Sequence, residues 1–148
     1  MQELSNKPVY TIGVASELLD LSPHSLRLYE KEGLILPHRT ATNRRIYSDV
    51  ELAKVKNIRK LIQESGLNFS AIRHILSSIP CWKFNNSDCS ACAHFIDFLN
   101  MDQPCWINSE NCKNKGELCR DCPVYQHSTG FCNIKEMISE ETAVENKQ

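Results

Sequence analysis

The sequence predicts a mainly α-helical protein in two parts: a helical front domain carrying a small basic hairpin, and behind it a small cysteine-rich, metal-stabilised module. Three observations predict this. Between residues 11 and 77, apolar residues recur at helical spacing in successive short segments. Capping and stopping residues bracket those segments. All eight cysteines lie between Cys81 and Cys132, and residues 1–80 contain none.

The first segment, TIGVASELL at residues 11–19, suits a short helix with Thr11 as N-cap and Ile12, Ala15, Leu18 and Leu19 on one face. Ser22 caps a second helix, with Pro23 at its first position, where a missing N–H costs nothing. Leu26 and Tyr29 or Leu28 face inward, and Gly33 ends this helix. Next comes LILPHRTATNRRIYS. Pro37 and a Thr/Asn-rich tip interrupt the helical pattern, so Leu34 and Leu36 pair with Ile46 and Tyr47 in a hairpin presenting Arg39, Arg44 and Arg45. Ser48 and Glu51 form a capping box for a third helix, which runs to about Ser65 and is stopped by Gly66. Asn68 caps a fourth, Phe69–Ser77, with Ile72, Ile75 and Leu76 apolar, and Pro80 closes the domain.

Apolar content of 41% and charged content of 24% suit a soluble globular chain of 148 residues. No apolar run approaches the roughly 20 residues that span a bilayer. The start, MQELSNKPVY, lacks the apolar core and cleavage site of a secretory signal. The expected location is therefore cytoplasmic, with no membrane partner. There, clustered cysteines argue for metal or redox chemistry over a disulfide framework. The net charge of −1 hides an asymmetry. Residues 1–80 carry eleven Lys/Arg against eight Asp/Glu, and residues 81–148 carry six against ten. A basic front half suits a polyanionic partner.

The order helix, helix, basic hairpin, helix, helix is the layout of a winged helix-turn-helix. The run from Tyr10 to Leu76 resembles the DNA-binding domain of the MerR (mercury-resistance regulator) family. The matching features are Ile12-Gly13, Ser22-Pro-His-Ser-Leu-Arg27, Tyr29-Glu30, Gly33-Leu34, Arg44-Arg45-Ile-Tyr47 and Gly66-Leu67. RLYE and NFSAIRHIL resemble the heat-shock-repressor branch. The resemblance covers about residues 8–79 and implies that the second helix enters the major groove while the wing contacts flanking backbone. The implied DNA-binding residues are His24, Ser25, Arg27 and Tyr29 on the helix, Arg39, Arg44, Arg45 and Tyr47 in the wing, and Lys56 on the third helix, with Arg59 or Lys60 as further phosphate contacts. Arg27 suits bidentate contact with guanine. Two positions depart from the family pattern. Leu28 replaces the first of two adjacent aromatics, and Asn43 stands where glycine is common, although Asn tolerates a left-handed backbone.

Residues 80–134 form the cysteine-rich module, and residues 135–148 a polar tail expected to be disordered at its end. The cysteines are Cys81, Cys89, Cys92, Cys105, Cys112, Cys119, Cys122 and Cys132. They include two CxxC pairs, Cys89/Cys92 and Cys119/Cys122, each able to hold one tetrahedral ion across a tight turn. Pro-Cys-Trp occurs at 80–82 and again at 104–106, a weak internal repeat that loosely resembles small modules with paired CW motifs. Eight thiols suffice for two four-thiolate sites. Zinc is the expected ion, an iron–sulfur cluster the alternative, and disulfide or free-thiol switching a third reading. The module's apolar content is thin, so metal serves as a structural staple. A sensing role competes with that reading. His94 is the best non-cysteine ligand candidate.

The expected function is a sequence-specific, DNA-binding transcriptional regulator and not an enzyme. Its expected partners are double-stranded promoter or operator DNA, a second copy of the chain, and RNA polymerase. Relatives dimerise through a long helix after the winged domain. Pro80 and the lack of a heptad run redirect that role to a short helix at His94–Met101 or to the cysteine module. The competing classes are a redox or iron–sulfur-sensing regulator, a thiol enzyme or electron carrier, and a zinc-dependent adaptor that binds no DNA. No nucleophile–base arrangement supports an enzyme. The paired wing arginines argue against the adaptor.

Overall fold

The structure, a computed structural model, describes residues 4–77, 103–107, 119–122, 125, 126 and 128. The expected helix at 94–101, the tail, and Cys81, Cys89, Cys92, Cys112 and Cys132 lie outside the described residues.

The chain enters through β1 (Tyr10–Thr11) and turns at once into α1 (Ile12–Leu19). The Thr11 hydroxyl caps α1 by accepting from the Val14 N–H at 3.4 Å. Helix α2 (Pro23–Lys31) follows, capped by the Ser22 hydroxyl, which accepts from the Ser25 N–H at 3.1 Å. Gly33 adopts φ +72° just beyond it, a left-handed turn that suits glycine. The wing is β2 (His38–Arg39) and β3 (Arg45–Tyr47), antiparallel, with His38 opposite Ile46 and Arg39 opposite Arg45. Strand β1 pairs with the other edge of β3, making the sheet order β1-β3-β2.

Helix α3 (Asp49–Ser65) starts where the capping box predicts. The Glu51 carboxylate accepts from the Ser48 N–H at 2.7 Å and also from the Ser48 hydroxyl. Gly66 ends the helix at φ +65°. Helix α4 (Phe69–Ser77) is capped by Asn68, whose Oδ1 accepts from the Ala71 N–H at 2.8 Å. A 3₁₀ turn covers Cys119–Asp121.

The core gathers one face of every helix: Ala15 and Leu19, Leu26 and Tyr29, Val50, Val55 and Ile58, and Ile72 and Leu76, with Leu34, Ile35 and Tyr47 between them. Tyr29 packs edge-on against Phe69, centroids 5.5 Å apart. One expectation changes here. Leu18 is exposed and Ser16 is buried, because the inward face of α1 runs Ala15, Ser16, Leu19. Trp106 and Tyr125, from the cysteine-bearing segment, are buried in the core of the front domain.

Candidate nucleic-acid interface

Helix α2 turns Leu26 and Tyr29 inward, so its opposite face carries exposed His24, Arg27 and Lys31. These stand three and four residues apart and therefore line up along one stripe. Ser25 is half-buried, and its hydroxyl lies 3.0 Å from that of Ser22, at the capped end of the helix. Lys31 is an addition to the residues expected from sequence. Its spacing from Arg27 was the available signal.

Beside this stripe stands the wing. Its tip closes with the Asn43 N–H donating to the Thr40 carbonyl at 2.8 Å, and the Thr40 N–H to the Arg44 carbonyl at 2.9 Å. Asn43 has φ +62°, the left-handed conformation that Asn tolerates. One carboxylate, Glu30 of α2, ties the wing to the helix. Its Oε1 accepts from Arg39 Nη2 at 2.8 Å, and its Oε2 accepts from Arg45 Nε. Arg39 Nη1 also donates to the Asn43 carbonyl at 3.2 Å.

The expected contact residues therefore divide. Arg27, Arg44 and Lys56 are exposed, as is the added Lys31, and among the described residues none of them makes an ion pair. Arg39 and Arg45 are held by Glu30 while still bordering the surface. Arg59 Nη1 donates to the Leu19 carbonyl at 2.6 Å, so that guanidinium satisfies the end of α1. Tyr29 is 5% exposed and Tyr47 fully buried, which gives both rings packing roles beneath the surface. The Tyr47 hydroxyl is buried without a hydrogen-bond partner among the described residues. Burial, reinforced by Glu30, pushes its pKa up to about 12, while Arg45, Arg27 and Arg39 pull the other way.

Of the expected metal ligands, Cys105, Cys119 and Cys122 are described, each half-buried against the core. The Cys122 N–H donates to the Cys119 carbonyl at 3.1 Å, closing the tight turn that a CxxC knuckle needs. These two thiols suit half of a tetrahedral site. Among the described residues, no group of three His, Cys, Asp or Glu side chains completes one. No helix among the described residues is long and apolar enough to cross a membrane.

Residues 10–79 match the family model described as MerR HTH family regulatory protein. The protein HspR of Streptomyces coelicolor, named as a heat shock protein, is 39% identical over 69 residues, 47% of this chain and 46% of that one. The HTH-type transcriptional regulator GlnR of Bacillus anthracis is 33% identical over 75 residues, 51% of this chain and 57% of that one. The HTH-type transcriptional regulator MlrA of Escherichia coli is 31% identical over 71 residues, 47% of this chain and 29% of that one. The chain spans about half the length of the first two relatives, and the family-model match stops at residue 79, before the first cysteine. With its capped helix pair, arginine-bearing wing and matched span, the stretch from residue 10 to residue 79 is similar to the helix-turn-helix domain of MerR-family regulatory proteins.

Proposed function

We propose that the protein is a sequence-specific, DNA-binding transcriptional regulator of the MerR type, acting as a homodimer on promoter DNA in the cytoplasm, with RNA polymerase as a further partner. The observation that carries this reading is the exposed His24–Arg27–Lys31 stripe of α2 beside a wing with exposed Arg44. The stripe suits base edges in the major groove, and the wing suits flanking phosphates. Relatives named as HTH-type transcriptional regulators support it. A two-fold operator favours a dimer. The reading assigns no catalysis.

The cysteine module, in this reading, binds zinc through Cys81, Cys89, Cys92, Cys105, Cys112, Cys119, Cys122 and Cys132. The Cys119–Cys122 turn supports thiolate coordination of a soft ion. An iron–sulfur cluster on the same thiols is the competing reading. Metal analysis and an absorption spectrum of protein purified without oxygen decide between them. Two colourless zinc equivalents per chain are expected, and visible iron–sulfur bands would reverse the assignment. DNA binding before and after chelation then separates a sensor from a staple.

The DNA-binding reading is tested by footprinting the promoter beside the protein's own gene with wild type and Arg27→Ala. Wild type should protect a discrete site, and Arg27→Ala should lose it. Equal protection by both chains would remove Arg27 from the interface.

A further inference from the structure

The cysteine-bearing segment meets the front domain at the connection between α2 and the wing, Gly33 to Leu36. The Trp106 Nε1–H donates to the Gly33 carbonyl at 2.7 Å. Arg120 Nε donates to the Leu36 carbonyl at 3.0 Å, and the Leu36 N–H donates to the Tyr125 hydroxyl at 2.7 Å. Ile107 lies so close over Gly33 that a Cβ there would overlap its Cγ1 and Cδ1. Three backbone groups of a four-residue connection are therefore held by residues 70 to 90 positions away in sequence.

The same side chains reach beneath the connection into α3. Tyr125 donates its hydroxyl to Glu51 Oε1 at 3.1 Å, and Arg120 Nη2 lies 3.3 Å from Glu51 Oε2. Glu51 has no exposed surface. Lys54, 2% exposed, donates to the Ser128 hydroxyl, with its ammonium 4.2 Å from the Tyr125 ring centroid and 5.0 Å from that of Trp106. Trp106 and Tyr125 pack edge to face, centroids 5.2 Å apart. A buried carboxylate and a buried ammonium on α3 thus find partners supplied by the segment.

We propose that Trp106, Arg120 and Tyr125 form an intramolecular clamp on the Gly33–Leu36 connection that sets the angle between the recognition helix and the wing, so that both engage DNA together. This rests on the DNA-binding reading above. Trp106 follows Cys105, and Arg120 lies between Cys119 and Cys122.

The test uses the full chain with Tyr125→Phe, which removes one hydroxyl and keeps the ring, and Arg120→Gln. Each is measured for affinity to the footprinted promoter fragment across a salt series, and for amide exchange from Leu34 to Arg45. Both variants should bind about tenfold more weakly, and the slope of log affinity against log salt should flatten by about 2 as the wing's phosphate contacts are lost. Arg44→Ala should weaken the wild type clearly and Tyr125→Phe little. Exchange at Leu34–Arg45 should quicken. Should Arg120→Gln unfold, Tyr125→Phe decides. Weaker binding with an unchanged slope would mean a smaller folded fraction and overturn the clamp, as would unchanged exchange. A wild-type chain that binds no DNA overturns the DNA-binding reading itself, and with it the clamp's part in binding.

Discussion

The Glu51 carboxylate is fully buried and is met by the Ser48 N–H and hydroxyl, the Tyr125 hydroxyl and Arg120. The capping role was legible in the sequence, because Ser48 and Glu51 stand three apart before an apolar-periodic run. The contacts to Arg120 and Tyr125 were not, because local spacing says nothing about which distant polar groups meet. Removing one partner of a buried ion pair strands the other in a low dielectric. Glu51→Ala should therefore cost about 3–5 kcal/mol of unfolding free energy in a denaturant titration. Lys54 differs. Burial pushes its ammonium down to about 7, while Glu51 and Cys105 pull it back up. It stands between two rings that an unbranched apolar chain would also fill. Lys54→Met should stay within about 1.5 kcal/mol of wild type. A loss as large as that of Glu51→Ala would show that the charge, and not the packed stem, matters at this position.

At the scale of elements, caps and stops were legible to the residue: Thr11, Ser22, Asn68 and Gly66 all sit where their chemistry predicts. Strand β1 was hidden, since two residues carry no period and the pairing with β3 is a long-range event. Leu18 was misplaced because an apolar template selects it over Ser16, although the short helix presents Ser16 to the core. The wing turn rests on Asn43 at φ +62°. Asn43→Gly should change stability by a few tenths of a kcal/mol, whereas Asn43→Val should cost about 1–2 kcal/mol, because a β-branched residue resists the left-handed region. Thermal unfolding of the two variants checks the difference. Glu30 joins helix and wing through two half-exposed ion pairs. Such pairs contribute about 1 kcal/mol or less each. Glu30→Gln should lower stability only slightly but speed amide exchange in Thr40–Arg45. Unchanged exchange there would mean that the strand pairing alone holds the wing.

Across the whole molecule, the composition changes from a cysteine-free front half to a cysteine-rich back part, and the match to the MerR-family model ends at residue 79. How the parts meet was not legible. Trp106 and Tyr125 look in sequence like a thin core for a small module, yet they complete the core that the four helices share. Ending the chain at residue 79 would take Trp106 and Tyr125 out of that core, leave Lys54 without the Ser128 hydroxyl, and leave Glu51 only its Ser48 partners. Such a truncated chain should melt well below the full chain, and an equal melting temperature would show that the front domain stands alone. The front half's positive balance also thins on inspection. Lys54, Arg59 and Arg73 are bound internally, so the charge available to a polyanion sits on Lys7, Arg27, Lys31, Arg44, Lys56 and Lys60, with Arg39 and Arg45 tied to Glu30.

A salt titration of binding to two duplexes, the protein's own promoter fragment and a shuffled fragment of equal length, bears most directly on the central claim of a sequence-reading DNA regulator. The promoter duplex should bind more tightly at every salt concentration, with log affinity falling by about 0.9 per phosphate contact for each unit of log salt. Arg27→Ala should narrow the gap between the duplexes by about 1–3 kcal/mol, and Arg44→Ala should weaken both alike while flattening the slope by about 1. Equal affinity for the two duplexes, or no binding at low salt, would contradict the account.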